Sequence, residues 1–228
     1  MNVQSKACCT RAPIVLSGGY NYTPKGKYTT YHGIKTCKLS YNHWNQEKSF
    51  EDLLTNHTDE TGSLTATRGI FMVYDVFGLY IQTLKGADIL ASGYAPANDA
   101  AGDFKVFMPD FFGDHPQDIA NFPPKTPAQI KSIIDYMTGP ADPAKTVPLI
   151  APMMEEIKKQ HPELTSFAIF GTCWGGKIAA LVSQEGSIFE ASAQVHPSLL
   201  DINDASKVAI PMVVLPSMDE DVEVSVIT

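Results

Sequence analysis

From residue 69 onward, runs of consecutive apolar residues alternate with segments that have helical spacing. The runs at 69–75 and 104–110 each end in an aspartate. The first run is continuous up to its aspartate, as is typical of a strand buried on both faces of a sheet, and the second is a further strand that contains one lysine, Lys105. Further strands are predicted at 167–170, 191–196 and 210–215, and helices at 82–92, 127–138, 148–160 and from Trp174 onward. The alternation predicts an α/β protein, with a mostly parallel sheet and helices on both faces.

The chain before residue 69 shows little periodicity. Residues 1–68 are predicted to form an irregular N-terminal arm, with a short strand at 27–31 and a polar insertion at 38–68. Residues 69–228 then form the α/β core, and a chain of 228 residues is long enough for one such domain to bury a core of its own.

Composition and charge restrict the classes of partner. The net charge of −8 gives no electrostatic reason to expect binding to nucleic acid or to an anionic membrane.

No apolar run approaches the roughly 18 residues of a membrane-spanning helix, and the first residues lack the apolar core of a signal peptide. We therefore expect a cytoplasmic protein whose cysteines are reduced thiols, namely Cys8, Cys9, Cys37 and Cys173. Their spacing is a poor zinc pattern, so no metal or cofactor is predicted. No pattern indicates an oligomeric state.

The most specific local motif is Gly-Thr-Cys-Trp-Gly at 171–175, directly after the apolar run at 167–170. It has the form G-x-C-x-G, the cysteine version of the nucleophile elbow, in which a sharp strand-to-helix turn exposes the nucleophile. The amides of the following helix would favour a thiolate at Cys173 and later an oxyanion. The alternative interpretation is a buried cysteine in a glycine-rich turn, since cysteine is often a small core residue.

Polar side chains follow each predicted strand of the parallel sheet. Because the carboxyl ends of parallel strands lie along one edge, where ligands bind, these residues should gather there. They are Asp75, Asp110, Cys173, His196 and Asp219. Each aspartate alone is also consistent with a loop cap, and His196 with a packed or hydrogen-bonded histidine. A cysteine elbow followed by an acid after a later strand matches the chain order nucleophile, acid, histidine.

These motifs together resemble the dienelactone hydrolase family of α/β-hydrolases, in its eukaryotic cytosolic branch. The matching stretches begin at residues 73, 86, 109, 171 and 196 and read Val-Tyr-Asp-Val-Phe-Gly, Gly-Ala-Asp, Pro-Asp-Phe-Phe-Gly-Asp, Gly-Thr-Cys-Trp-Gly-Gly-Lys and His-Pro-Ser. The resemblance implies an α/β-hydrolase fold and hydrolysis of a small-molecule ester or lactone through an acyl-enzyme. It also implies that Cys173 is the nucleophile and Asp219 the triad acid. Asp75 matches an acidic neighbour of the nucleophile, and the backbone N–H groups of Trp174 and Val76 match the oxyanion hole.

The chain departs from the family pattern after the acid. The family's catalytic histidine follows one more strand, whereas residues 220–228 contain no histidine. We therefore expect the last strand and helix to be missing, as in a truncated or alternatively spliced product or an imperfect gene model. Two alternative functions follow for such a chain: a catalytically inactive α/β-hydrolase-fold binding protein, or a thiol sensor in which Cys173 is reversibly oxidised.

The sequence also predicts the behaviour of one substitution. Nothing in the sequence orients the ring of His196 toward Cys173, so we expect His196→Ala to leave ester turnover nearly unchanged. Steady-state hydrolysis of p-nitrophenyl acetate by the variant and the parent chain measures this. Abolished turnover in a variant with an unchanged circular dichroism spectrum would contradict the expectation.

Overall fold

One seven-stranded sheet organises the computed structural model, which describes residues 25–39, 66–92 and 104–217. The strands lie in the order β1-β2-β4-β3-β5-β6-β7. In chain order they are β1 (Lys27–Tyr31), β2 (Ile34–Leu39), β3 (Arg68–Val73), β4 (Phe104–Pro109), β5 (Ser166–Thr172), β6 (Ala191–Val195) and β7 (Met212–Leu215). All five strands predicted from residue 69 onward are present, and the mostly parallel α/β sheet is confirmed.

The first two strands form an antiparallel hairpin that continues the sheet beyond β4. Strand β2 pairs antiparallel with β4, with Thr36 opposite Pro109, whereas β3 to β7 pair in parallel. The strand predicted at 27–31 is confirmed, but β2 was missed, so residues 27–39 are part of the sheet and not of an irregular arm. Residues 40–65, which make up most of the predicted polar insertion, lie outside the described residues. The division of the chain at residue 68 stays a prediction.

The described helices agree closely with the predicted ones. They are α1 (Ile81–Ser92), α2 (Pro127–Met137), α3 (Pro143–Gln160), α4 (Trp174–Val182) and the short α5 (Ile202–Ala205), with a 3₁₀ turn at Ile119–Asn121. Helix α3 begins five residues before the predicted start at Pro148. Asp142 caps it by accepting a hydrogen bond from the Ala144 N–H, and Pro143 suits a first helical position because that position needs no N–H donor.

The centre of the sheet is buried on both faces. Five consecutive residues of β3 and the last four of β4 are buried, although successive side chains in a strand point to opposite faces. The sequence showed this as an uninterrupted apolar run in β3 and as the apolar residues that follow Lys105 in β4. Helix α3 contributes a buried face to the same core, formed by Ile150, Met153, Met154 and Ile157.

The order of the strands reverses at β3. The chain passes from β3 to β4 on one side of it, and then crosses back to β5 on the other side. In open α/β sheets the crevice at such a reversal, at the carboxyl ends of the strands, is where ligands bind. This position lies between the end of β3, which leads to Asp75, and the end of β5, which leads to Cys173. Among the helices of the described ranges, none is long and apolar enough to cross a membrane.

A polar cluster lies where the end of α3 meets β1, in which Tyr31 and His161 are buried and Glu163 is exposed. The Tyr31 hydroxyl and the His161 Nε2 atom are 2.9 Å apart, and His161 Nδ1 lies 3.2 Å from Glu163 Oε1. Lys105 also contacts the Glu163 carboxylate. Burial lowers the pKa of His161, and the charges of Lys38 and Lys105 act in the same direction, while Glu163 opposes them. Burial alone would raise the pKa of Glu163, but hydrogen bonds from Lys105 and His161 lower it to about 2.

This cluster makes the stability of the fold depend on pH. Because the folded state holds the pKa of His161 below that of the unfolded chain, the unfolded state binds more protons once the pH falls toward about 6.5. The free energy of unfolding should therefore decrease between pH 7.5 and 5.5, and His161→Gln should make that decrease smaller. Urea unfolding at the two pH values measures it, with His32→Gln, an exposed histidine, as the control. An unchanged pH dependence in His161→Gln would contradict the prediction.

Candidate functional site

Cys173 forms the whole connection between β5 and α4. The strand ends at Thr172 and the helix begins at Trp174. The Cys173 backbone has φ 51° and ψ −112°. A side chain other than glycine rarely adopts a positive φ, and such conformations persist only where the surrounding structure imposes them. The predicted elbow is therefore present, with its strain located on the cysteine itself.

The two glycines of the motif allow the elbow to close. A Cβ atom at Gly171 would lie 2.1 Å from the Gly175 carbonyl oxygen. A Cβ atom at Gly175 would lie 2.1 Å from the carbonyl oxygen of Val73, at the end of β3. Any side chain at either position would push the start of α4 away from β3 or β5, so the spacing in the sequence reflects backbone contact on both sides of Cys173.

Hydrogen bonds hold the elbow to both neighbouring strand ends. The Gly175 N–H donates to the carbonyl of Tyr74, which follows β3, at 3.1 Å. On the other side, the Cys173 N–H donates to the Val195 carbonyl at 3.1 Å and the Cys173 carbonyl accepts from the Ser198 N–H at 2.9 Å. The cysteine backbone is thus clamped between the ends of β3 and β6, as its strained conformation requires.

Asp75 and Val76 belong to a tight turn after β3. The Asp75 carboxylate accepts a hydrogen bond from the Phe77 N–H at 2.8 Å, and its carbonyl accepts from the Gly78 N–H at 3.2 Å. Val76 is buried, and its carbonyl accepts from the Gln117 N–H at 2.9 Å. Since Gly175 touches the backbone just before this turn, the structure brings Asp75 and Val76 to the same strand ends as Cys173.

Trp174 is a core residue whose side chain anchors the start of α4. It is fully buried, and its Nε1–H donates to the Ala141 carbonyl at 2.7 Å. Its ring packs against Tyr74 and Phe112, with ring centroids 6.3 Å and 4.7 Å away. Phe112 is buried as well, so both rings belong to the core. The side chain of Trp174 is thus part of the core, and its backbone N–H is the part of this residue that remains a candidate for the oxyanion hole.

His196 directly follows β6 and also has a positive φ, of 50°. Its N–H donates to the Leu215 carbonyl at 2.9 Å, and its Nδ1 atom lies 2.9 Å from the Ser217 hydroxyl. The ring is thereby oriented toward the end of β7, which the sequence did not show. Asp219, two residues beyond Ser217, lies outside the described residues, and its predicted role stays a prediction. The same holds for the predicted lack of a last strand and helix.

The second described cysteine has a different environment. Cys37 is buried in β2, and burial, followed by the nearby Asp88 carboxylate, raises its pKa to about 11. Such a thiol is protonated and unreactive at neutral pH, whereas Cys173 is partly exposed. In the described ranges, no group of three or more His, Cys, Asp or Glu side chains is arranged to hold a metal ion.

Two parts of this site were missed by the sequence analysis. The Tyr74 hydroxyl donates to Asp110 Oδ1 at 3.2 Å and accepts from the Phe112 N–H at 2.9 Å. Gln117 supports the turn after β3 through its backbone, as described above. Tyr74 belongs to the Val-Tyr-Asp-Val-Phe-Gly motif, so the motif contained this residue. Its hydrogen bonds could not be predicted, because a single tyrosine in an apolar run has no spacing that indicates its partners.

The sheet order, its reversal at β3 and a sharp strand-to-helix elbow at the adjacent strand end define the α/β-hydrolase fold. The family model described as "Dienelactone hydrolase family" matches residues 59–224, and the chain belongs to this family. Family and fold are those of hydrolases.

Individual relatives agree with this assignment. An uncharacterized AIM2 family protein of Schizosaccharomyces pombe is 32% identical over 96% of this chain and 75% of its own length. A second AIM2 family protein of that organism, also uncharacterized, is 29% identical over 78% of this chain and 68% of its own. A solved structure of a dienelactone hydrolase-like promiscuous phosphotriesterase from metagenomic libraries has the same fold. Its TM-score is 0.53 at 20% identity, and the match covers 86% of this chain and 70% of that one.

The close approach at Gly175 generates a stability prediction. We expect Gly175→Ala to lower the free energy of unfolding by about 3 kcal/mol or more, because the new methyl group meets backbone atoms that cannot move independently. Gly86→Ala in α1 is the matched control, since a Cβ there meets no atom within 4 Å. It should keep the stability or raise it by up to about 1 kcal/mol, as alanine favours a helix over glycine. Urea unfolding compares the two, and equal losses would refute the argument.

Proposed function

We propose that this protein hydrolyses small esters or lactones with the Cys173 thiol, through a covalent acyl-enzyme. The observation that supports this most directly is the strained backbone of Cys173, at φ 51° and ψ −112°, between two glycines that the packing requires. Strained positions of this kind cluster at active sites, where surrounding contacts hold the reacting group in place. A structural cysteine would need neither the strain nor the close approach of α4 to β3.

The proposed reaction begins at the thiolate. The sulfur attacks the carbonyl carbon, a C–S bond forms, and the carbonyl electron pair moves to oxygen. The oxyanion accepts hydrogen bonds from the N–H groups of Trp174 and Val76, which we propose as the oxyanion hole. Collapse of this intermediate breaks the C–O bond and releases an alcohol after proton transfer. Water then attacks the thioester, which releases the acid and restores the Cys173 thiol.

Two local fields act on the thiol. Cys173 precedes the nine-residue helix α4, whose N-terminal amides carry partial positive charge and favour the thiolate. The Asp75 carboxylate on the neighbouring strand end opposes this, although its hydrogen bond from Phe77 draws part of its charge into the turn. In the triad arrangement a histidine accepts the thiol proton and an acid orients that histidine. Residues 220–228 contain no histidine, so the proposed reaction starts from the thiolate that the α4 amides favour, and we propose Asp219 at the position of the acid.

The proposed setting is the cytoplasm, where Cys173 would remain reduced. We propose a small-molecule substrate, with neither nucleic acid nor a membrane as a partner, because the net charge of −8 repels both polyanionic surfaces. An ester that fits beside the turn after β3 would reach both the sulfur and the proposed oxyanion donors.

Removal of the thiol tests the proposal. We expect Cys173→Ala to reduce the hydrolysis of p-nitrophenyl acetate by at least about a thousandfold, because no other group forms the acyl-enzyme. Cys37→Ala is the matched control, since it removes the other described thiol and should leave turnover unchanged. Mass spectrometry of the quenched reaction should show one acetyl group on Cys173.

Two outcomes would overturn the proposed function. Equal turnover in the parent chain and Cys173→Ala would exclude the cysteine mechanism, and turnover no faster than in buffer alone would leave a binding protein as the alternative. If the parent chain has no esterase activity but peroxide oxidises Cys173 reversibly, a thiol sensor would replace the hydrolase.

A further inference from the structure

The turn after β3 and the elbow share one stretch of backbone. Gly175 donates to the Tyr74 carbonyl at 3.1 Å, and Val76, whose N–H is proposed to bind the oxyanion, is only two residues further along. The direction of the Val76 N–H relative to Cys173 therefore depends on how firmly residues 74–78 are held. Within this segment, the Asx turn at Asp75 holds the Phe77 N–H against the Asp75 carboxylate.

Tyr74 connects this segment to the loop at 110–117. Its side chain is fully buried, and its hydroxyl donates to Asp110 Oδ1 at 3.2 Å while it accepts from the Phe112 N–H at 2.9 Å. Asp110 Oδ1 also accepts from the Gly113 N–H at 3.1 Å, so the carboxylate organises the start of the loop. Burial, and next the Asp110 charge, raises the pKa of Tyr74 well above its ordinary value, so the phenol keeps the proton that it donates.

The far end of the same loop is joined to the same turn. The Gln117 N–H donates to the Val76 carbonyl at 2.9 Å, and a Cβ atom at Gly78 would lie 3.2 Å from the Pro116 side chain. The loop thus holds residues 74–78 from both of its ends. The phenol of Tyr74 is the side-chain link at one end, and the link at the other end is made by backbone.

We propose that Tyr74 and Asp110 are a pair of positioning residues that hold the Val76 N–H in the geometry needed for oxyanion binding. This inference rests on the proposed function of Cys173. Neither side chain touches the substrate. The pair acts through the backbone of residues 74–76, so its loss should affect stabilisation of the transition state more than substrate binding or the nucleophile itself.

The decisive variant is Tyr74→Phe, which keeps the packed ring and removes only the hydroxyl. We expect kcat for p-nitrophenyl acetate to fall about tenfold with KM changed less than about twofold, because a displaced oxyanion donor weakens transition-state binding. Asp110→Asn should stay within about threefold of the parent, since its Oδ1 still accepts from Tyr74 and Gly113, whereas Asp110→Ala should match Tyr74→Phe.

Tyr136→Phe is the matched control. The Tyr136 hydroxyl donates to the His115 carbonyl of the same loop at 3.1 Å and also interacts with the Gln117 backbone. This variant therefore removes a phenol hydroxyl from the loop, while the Tyr74–Asp110 contact and the bond from the Gln117 N–H to the Val76 carbonyl both keep their partners. Its kcat should equal that of the parent. The rate at which iodoacetamide alkylates Cys173 should be the same in the parent and both tyrosine variants, because the elbow is unchanged.

Three results would overturn the inference. Equal kcat in Tyr74→Phe and Tyr136→Phe would show that the Tyr74 hydroxyl has no specific role. A parallel fall in kcat and in the alkylation rate of Cys173 would assign the effect to the nucleophile. The third result concerns the rate of amide hydrogen exchange at residues 75–78. If this rate rises no more in Tyr74→Phe than in Tyr136→Phe, the Tyr74 hydroxyl does not hold the segment. This measurement needs no turnover, so it tests the inference even in a chain without activity. Failure of the proposed function appears separately, as turnover that does not depend on Cys173.

Discussion

The contact between the backbone of Gly175 and the end of β3 is the constraint on which the site depends. A helix can begin this close to a neighbouring strand only where side chains are absent, and a Cβ at Gly175 would lie 2.1 Å from the Val73 carbonyl oxygen. The short approach forces the turn from β5 into α4 to take place within a single residue. Cys173 occupies that residue and takes the positive φ that the turn imposes.

The rest of the sheet supplies the rigidity that this strain needs. Hydrogen bonds to Tyr74 on one side, and to Val195 and Ser198 on the other, hold the elbow against the ends of β3 and β6. Both of these strands flank β5, and β3 is buried along nearly its whole length. The strain is thus held beside the buried strand β3, where local relaxation would disturb the core.

In the proposed arrangement, loops at the carboxyl edge of the sheet surround a substrate and also orient the backbone groups of the turn after β3. The loop at 110–117 touches the turn after β3 at Tyr74, Val76 and Gly78. The polar cluster of Tyr31, His161 and Glu163 joins β1 to the end of α3, and these two elements are not part of the elbow. Its pH dependence concerns the stability of the fold, whereas the contacts of Tyr74 concern the geometry of the site.

The sequence by itself determined the parallel strands, most helices and the position of the elbow, because burial on two faces and backbone crowding each leave a direct trace in residue type. It did not reveal β2, because Lys35, Thr36 and Lys38 make the stretch polar, and Thr36 and Cys37 become buried only when β4 lies beside them. It placed Trp174 beside the site without showing that its ring is core. Only the tertiary structure decided that Tyr74 pairs with Asp110 and that His196 pairs with Ser217. Hydrogen bonds between residues distant in sequence follow no period along the chain, so the sequence could not show them.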